Sequence, residues 1–342
     1  MALPLKNPFP VMEALLAPDL PEEKGWLFEP KWDGFRCLIY RDSSKAALQS
    51  KSNKPLERYF PEVTEAVKSV PAKKFILDGE LTIQRGGVLS FDDLLQRIHP
   101  AASRIQRLSR ETPATMVVFD MLVDENGRDL TGESLEERRE RLEFFFRRYL
   151  SGRKNFMLSP AVRDPRKAKK WLKAYGSSLD GLIAKRLDAA YESGERSGAV
   201  RKIKTLRSAD CVVGGFRYSS KEKSLGSLLL GLYDEKGLLN HVGFTSSFSA
   251  SERKQLLKRF EALVEPPGFT GSAPGGPSRW STDRSTEWKP LKQVVVVEVE
   301  YDHFTGGRFR HGTKFLRFRP DKAPRQCKMS QVTQETRVPL AA

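Results

Sequence analysis

Lys31 lies in the run Glu29-Pro30-Lys31-Trp32-Asp33-Gly34-Phe35-Arg36, which sets an amine beside carboxylates, a glycine and an arginine. A lysine amine attacks only when deprotonated, and its free pKa of ~10.4 must be lowered by nearby cations or by desolvation. Arg36, Lys202 and Lys204 are the candidate cations, and a bound metal is another. Gly34 lets the backbone pass close to a ligand, and Asp33 is placed to orient the lysine or its loop. Taken alone, this fragment is better read as a solvated lysine in a turn. Partner runs follow it in order, however: Asp78-Gly79-Glu80, Met116 to Leu122, Asp180-Gly181-Leu182-Ile183-Ala184-Lys185, Lys202-Ile203-Lys204, and an arginine-rich cluster ending at Lys322. The set describes a lysine that takes a nucleotide covalently and passes it on.

Asp78, Glu80 and Asp180 offer hard oxygen ligands from separate places, as Mg²⁺ beside nucleotide phosphates requires. Asp-Gly also marks ordinary strand-end turns. Phe119 is a candidate to stack on a base, against the usual role of a strand phenylalanine in the core. Lys202 and Lys204 fall on one face of a strand, where an anion between them would offset their repulsion; a plain solvated face is the alternative. Arg308, Arg310, Lys314, Arg317, Arg319 and Lys322, interleaved with Phe309, Phe315 and Phe318, suit ATP phosphates or DNA. The competing reading is a basic barrel edge that resists aggregation.

The elements that must position these residues are strands. Phe35 to Tyr40 reads as a strand directly after Gly34, Phe75 to Leu77 as one running into Asp78, Met116 to Phe119 as one ending at Asp120, and Leu182 to Ala184 as one preceded by Asp180. Helices fall between them. Ser134 with Glu137 makes a capping box for a helix reaching about Leu150. Asp164, Pro165 and Gly176 bracket another as N-cap, first residue and C-cap, and Leu56 to Val70 reads as a helix interrupted by Pro61. The first ~205 residues are therefore expected to be an α+β domain of antiparallel sheets. A change falls at Thr205 to Asp210, the candidate hinge. Beyond it, strands at Cys211–Phe216, Ser227–Leu232, Leu239–Phe244 and Val294–Tyr301, a helix over Ser251–Val264 and a Pro/Gly-rich loop over Glu265–Ser278 suit a small barrel. The tail after Ser330 is expected to fray.

At 342 residues the chain is long enough for about two domains with separate cores. A hydrophobic content of 39% suits a soluble protein, and no apolar run approaches the ~20 residues of a membrane span. Met1 to Lys6 lacks the apolar stretch of a signal peptide, so a cytoplasmic location is expected. A net charge of +16, spread along the chain, calls for a polyanionic partner. No basic amphipathic helix argues for a membrane surface. Cys37, Cys211 and Cys327 form no metal-ligand spacing and are expected to be reduced and structural. His99, His241, His303 and His311 are too scattered for a His-based zinc site.

The order and spacing of these runs resemble the covalent nucleotidyltransferases, and most closely the ATP-dependent DNA ligases of the compact bacterial ligase C type, over residues 10–325. The resemblance implies an antiparallel-sheet nucleotidyltransferase (ATP-grasp-like) domain over 1–205, a β-barrel OB-fold domain over 206–330 and a tail over 331–342. It implies that Lys31 carries AMP, that Glu29 reads adenine, that Arg36 sits near the ribose and the nick phosphate, and that Phe119 stacks on adenine. Glu80 falls to the ribose or the metal, with Asp180 and Asp78 as further metal contacts; Lys202 and Lys204 fall to the α-phosphate. Lys51 contacts DNA phosphate in the place of a usual arginine, and Asp180 stands where the family pattern has glutamate. Arg310, Arg319, Asp321 and Lys322 belong to the last family motif, which orients the pyrophosphate. ATP, Mg²⁺ or Mn²⁺, and nicked duplex DNA are the implied cofactors and substrate. A monomer acting at the bacterial nucleoid in repair or recombination, beside a separately encoded repair polymerase, is the implied setting. An mRNA-capping guanylyltransferase, an RNA ligase and a non-enzymatic duplex-binding module are the alternatives.

Overall fold

A computed structural model describes residues 3–86, 88–175, 180–220, 222–275 and 287–333. The chain divides into two compact units, the first running to Thr205 and the second beginning at Leu206. In the first, the elements are β1 (Leu15–Leu16), β2 (Trp26–Pro30), β3 (Phe35–Asp42), β4 (Lys45–Ser50), α1 (Pro61–Lys68), β5 (Lys74–Thr82), β6 (Gln84–Arg85), β7 (Val88–Leu89), α2 (Phe91–Gln96), α3 (Ala102–Glu111), β8 (Thr115–Val123), α4 (Leu135–Phe145), β9 (Phe156–Leu158), α5 (Pro165–Tyr175), β10 (Gly181–Arg186) and β11 (Val200–Lys204). They build a five-stranded sheet in the order β4-β3-β5-β8-β9 and a four-stranded sheet in the order β1-β11-β10-β2. Only β8–β9 and β1–β11 pair in parallel in these two sheets.

Period-two alternation assigns the faces. In the five-stranded sheet Cys37, Ile39, Phe75, Leu77 and Leu81 point into a core with Phe60, Val63 and Val67 of the α1 region. The intervening positions, Arg36, Asp78 and Glu80, fall on the other face. In the four-stranded sheet Trp26, Phe28, Leu182, Ala184 and Ile203 pack with Ala168 and Trp171 of α5, leaving Glu29, Ile183, Lys185 and Lys202 on the opposite face.

Several expected boundaries move. Pro61 begins α1 and does not interrupt a longer helix; its missing N–H costs nothing at a first position. Asp78-Gly79-Glu80 and Asp120 lie within strands, not at their ends. The capping box of Ser134 and Glu137 is present, and α4 continues as a π-helical turn over Phe146–Leu150. Asp164 accepts the Arg166 N–H at 2.8 Å, as expected of an N-cap, whereas Gly176 lies outside the described residues.

The second unit holds β12 (Arg207–Tyr218), β13 (Leu225–Tyr233), β14 (Leu239–Thr245), α6 (Ala250–Glu261), β15 (Lys289–Pro290), β16 (Val296–Tyr301), β17 (Phe304–Thr305), β18 (Arg308–Phe309), β19 (Lys314–Phe318) and α7 (Ser330–Thr333). Its main sheet runs β14-β13-β12-β16-β19, with β15 also on β12. Among the described residues the expected barrel is not closed by a strand ladder. The edges meet at one bridge, Thr245 with Thr313, where the Thr313 N–H donates to the Phe244 carbonyl at 3.1 Å. Arg207 to Asp210 lie within β12, leaving Thr205 and Leu206 between β11 and β12.

The tail is anchored at its start. Gln331 exchanges two hydrogen bonds of 3.1 Å with the Asp210 backbone, and Val332 is buried; residues 334–342 lie outside the described residues. All three cysteines are free and buried, and burial raises each thiol pKa, that of Cys327 to about 12. Among the described residues no helix is long and apolar enough to cross a membrane.

Gly181 is sterically obligatory. Its φ is +132°, and an added Cβ would lie 2.0 Å from the Ile203 carbonyl oxygen. Gly181→Ala is expected to destabilise the protein by about 2–4 kcal/mol, read as a lower urea midpoint at unchanged slope.

Candidate active site

A cavity of about 280 Å³ in the first unit is lined from both sheets: Arg36, Glu80 and Phe119 from one, Glu29, Ile183, Lys185 and Lys202 from the other, with Lys31 among them. Lys31 follows β2 directly, and its N–H donates to the Gly181 carbonyl at 3.0 Å. Gly34 keeps the turn tight, since a Cβ there would lie 2.2 Å from the Leu81 oxygen. The Lys31 ammonium forms an ion pair with Asp180, one residue before β10.

Phe119 reaches the cavity through a β-bulge. Asp78 pairs with Asp120 and Gly79 with Val118, so Phe119 has no partner on β5 and the pleat shifts there. Consecutive residues Phe119 and Asp120 therefore both line the cavity, which regular alternation would forbid. Lys185 Nζ lies 4.3 Å and Arg36 Cζ 4.6 Å from the Phe119 ring centroid, within cation–π range.

Beside the cavity, the buried carboxylates Glu29, Asp78 and Asp120 are each matched by a cation. Glu29, 2% exposed, faces Lys185 at 2.8 Å and Arg139 at 3.1 Å. Asp120 takes a bidentate pair from Arg138, at 2.8 and 3.0 Å, and although burial raises its pKa, Arg138 wins and lowers it. Asp78 takes Arg36 through Nε and Nη2, both at 2.6 Å, and the Tyr191 hydroxyl donates to it at 2.7 Å. Asp78 is wholly buried, and its oxygens accept from Arg36 and Tyr191. Glu80 is the exception. Burial pushes its carboxyl pKa up to about 7, with Asp33 and Asp78 adding and Arg36 and Lys31 opposing.

Lys202 lines the cavity, and its pKa is lowered by burial and then by Arg196, Lys204 and Lys51. Such crowding favours a bound anion. Lys204 is two residues further along β11, opposite Gly181. Lys51 reaches the cavity rim and pairs with Glu13 at 3.0 Å. Among the described residues no three His, Cys, Asp or Glu side chains converge as a metal cage. Glu80 and Asp180 flank Lys31, a donor set that fits a hard divalent ion completed by phosphate oxygens and water.

Arg310, Arg319 and Lys322 belong to the second unit. Arg319 pairs with Asp210 and Asp321, each at 2.9 Å, and Lys322 with Asp210 at 2.7 Å. The interleaved Phe309, Phe315 and Phe318 pack in or against the core. Sequence reasoning missed Lys185, Arg138, Arg139 and Tyr191 as site residues. Lys185 ended a run already singled out, and its 2.0-period with Ile183 could have found it; the others are 18 to 113 residues from their partners.

Comparison with known proteins follows the same division. A model of the ATP dependent DNA ligase domain matches residues 12–204, and one of the ATP dependent DNA ligase C terminal region matches 221–322. DNA ligase C1 of Mycolicibacterium smegmatis is 41% identical over 343 residues, covering 97% of this chain and 96% of its own. DNA ligase C of Mycobacterium tuberculosis is 37% identical over 356 residues, covering 100% and 98%. Among solved structures, one from a study of Lig E DNA ligases superposes with a TM-score of 0.57 at 19% identity, covering 90% of this chain and 99% of that one, a likeness of fold alone.

The raised Glu80 pKa makes stability depend on pH. A carboxyl held above its unfolded value contributes fully below that value and loses its contribution as pH rises through about 7. In EDTA, the stability of Glu80→Gln relative to wild type is therefore expected to improve by about 1–3 kcal/mol between pH 5 and pH 8 in urea unfolding. An unchanged difference would contradict the shift.

Proposed function

The chain belongs to the family of ATP-dependent DNA ligases, and from that premise we propose that it seals nicks in duplex DNA with Lys31 as the residue that carries AMP. The observation that supports this most directly is the placement of Lys31 on one cavity with Glu29, Arg36, Glu80, Phe119 and Lys202.

Lys31 Nζ, freed of its extra proton, attacks the α-phosphorus of ATP; a P–N bond forms as the P–O bond to pyrophosphate breaks. Glu29 reads the adenine amino group, and Phe119 with Ile183 holds the base. Arg36, fixed by Asp78, takes the ribose and later the nick phosphate. Lys202 and Lys204 stabilise negative charge on the α-phosphate oxygens. Glu80 and Asp180 would hold Mg²⁺ or Mn²⁺, which supplies charge neutralisation at the phosphates. Asp180 otherwise pairs with the nucleophile itself, so engaging its carboxylate elsewhere releases the amine. The 5′-phosphate of the nick then displaces Lys31 from AMP, and the 3′-hydroxyl displaces AMP to close the strand.

The second unit is read as an OB-fold, a six-stranded sheet whose edges meet at one bridge being compatible with a partly open barrel. Arg310, Arg319 and Lys322 present its charge to pyrophosphate or DNA, and Lys51 contacts the DNA backbone. Thr205 and Leu206 form the hinge. A nick with a 5′-phosphate and a 3′-hydroxyl is what remains when a gap has been filled, which fits a role in repair or recombination. We read the protein as acting at the bacterial nucleoid, with a separately encoded repair polymerase as its companion.

Intact-protein mass spectrometry after incubation with ATP and Mg²⁺ is expected to show the added mass of AMP on wild type and none on Lys31→Ala. Covalent label from GTP alone, or sealing of nicked RNA but not nicked DNA, would overturn the reading.

A further inference from the structure

Glu29 and Trp32 bracket Lys31 in sequence, two residues before it and one after. Neither is held by its own strand alone. Both are tied to one guanidinium on α4, from more than 100 residues away. Arg139 Nη1 lies 3.1 Å from Glu29 Oε1. Its Nη2 donates to the Ser159 carbonyl at 2.8 Å, and the Ser159 hydroxyl accepts the Trp32 indole N–H at 3.0 Å. Its Nε donates to Glu143 at 2.7 Å, one helical turn further along α4.

We infer that Arg139 is a positioning residue that sets both flanks of the nucleophile at once. This rests on the proposed roles of Lys31 and Glu29. The three N–H groups used point in fixed directions from one rigid plane, so Glu143 locks the plane and the plane then locks Glu29 and Ser159. A lysine has one compact ammonium and cannot hold all three directions. Arg139 is only 7% exposed, and α4 is anchored at its start by the Ser134–Glu137 capping box, so the guanidinium has little room to drift. Glu29 keeps acceptor capacity beyond Arg139 and Lys185, since a carboxylate offers about four lone-pair sites. An adenine amino group can therefore be read by an oxygen whose direction Arg139 dictates. In-line attack is sensitive to displacement on the scale of 1 Å, which makes the fork's accuracy a determinant of rate.

Adenine discrimination separates positioning from mere support. Single-turnover lysyl-AMP formation is measured with ATP and with purine riboside triphosphate, which lacks the 6-amino group. Arg139→Lys is expected to slow the ATP reaction by about 10–100-fold and to shrink the preference for ATP over the analogue. An unchanged rate and preference, or an equal fall for both nucleotides, would overturn the assignment. Ser159→Ala releases only the Trp32 arm; it is expected to slow both nucleotides equally, and an unchanged rate would refute that arm. Should Arg139→Lys fail to fold by circular dichroism, Glu143→Ala, which removes the acceptor of the Arg139 Nε–H on α4, carries the same comparison. Wild type that forms no adduct with ATP would instead remove the proposed function itself.

Discussion

The bidentate pair of Arg36 and Asp78 constrains everything around the cavity. Two parallel bonds of 2.6 Å fix the guanidinium plane, and burial makes the pair mandatory: breaking it by removing one partner would leave an uncompensated charge at a cost of about 3–5 kcal/mol. Burial alone works against the charge on Arg36, and Asp78 overrides it to raise the pKa. Once Arg36 is fixed, it lies against Phe119 and opposite Glu80 on the neighbouring strand. Glu80 is left without an equivalent partner, and that asymmetry is what keeps one carboxylate available for a metal or ribose while its neighbours are committed to cations.

The parts of this arrangement that were legible in the sequence are the local ones. A lysine in the turn before a strand, a glycine that permits a close backbone approach and a lysine pair at period two announce themselves within a few residues, though what Gly34 approaches is the Leu81 carbonyl. The strands were placed well because apolar runs with a clear period dominate them, and the capping box at Ser134 was readable because its two members are three residues apart. What the sequence concealed is decided by pairing across the fold. Asp78 looks like a metal ligand beside Glu80, yet it is turned to Arg36 on the adjacent strand and to Tyr191, 113 residues away. The bulge at Phe119 breaks the alternation from which Asp120 would have been assigned to the core. Arg138 and Arg139 read as ordinary charged positions of a surface helix, because nothing near them announces the buried carboxylates they meet.

In the second unit the same lesson holds for its basic cluster. Arg319 and Lys322 converge on Asp210, which lies in β12 near the start of the unit, so the last motif is tied back to the first strand. Gln331 closes that contact by pairing with the Asp210 backbone, which ties down the start of the tail that its terminal position suggested would fray. Phe309 is buried and Phe315 and Phe318 pack against the core, while Leu316 between them is exposed.

The three sealed thiols have a consequence for the setting in which the protein works. Attack by peroxide requires exposed thiolate, and Cys37, Cys211 and Cys327 are neither accessible nor readily ionised. The lysine chemistry uses no sulfur either. Oxidants that break DNA strands therefore find no accessible thiol on the folded enzyme that joins them.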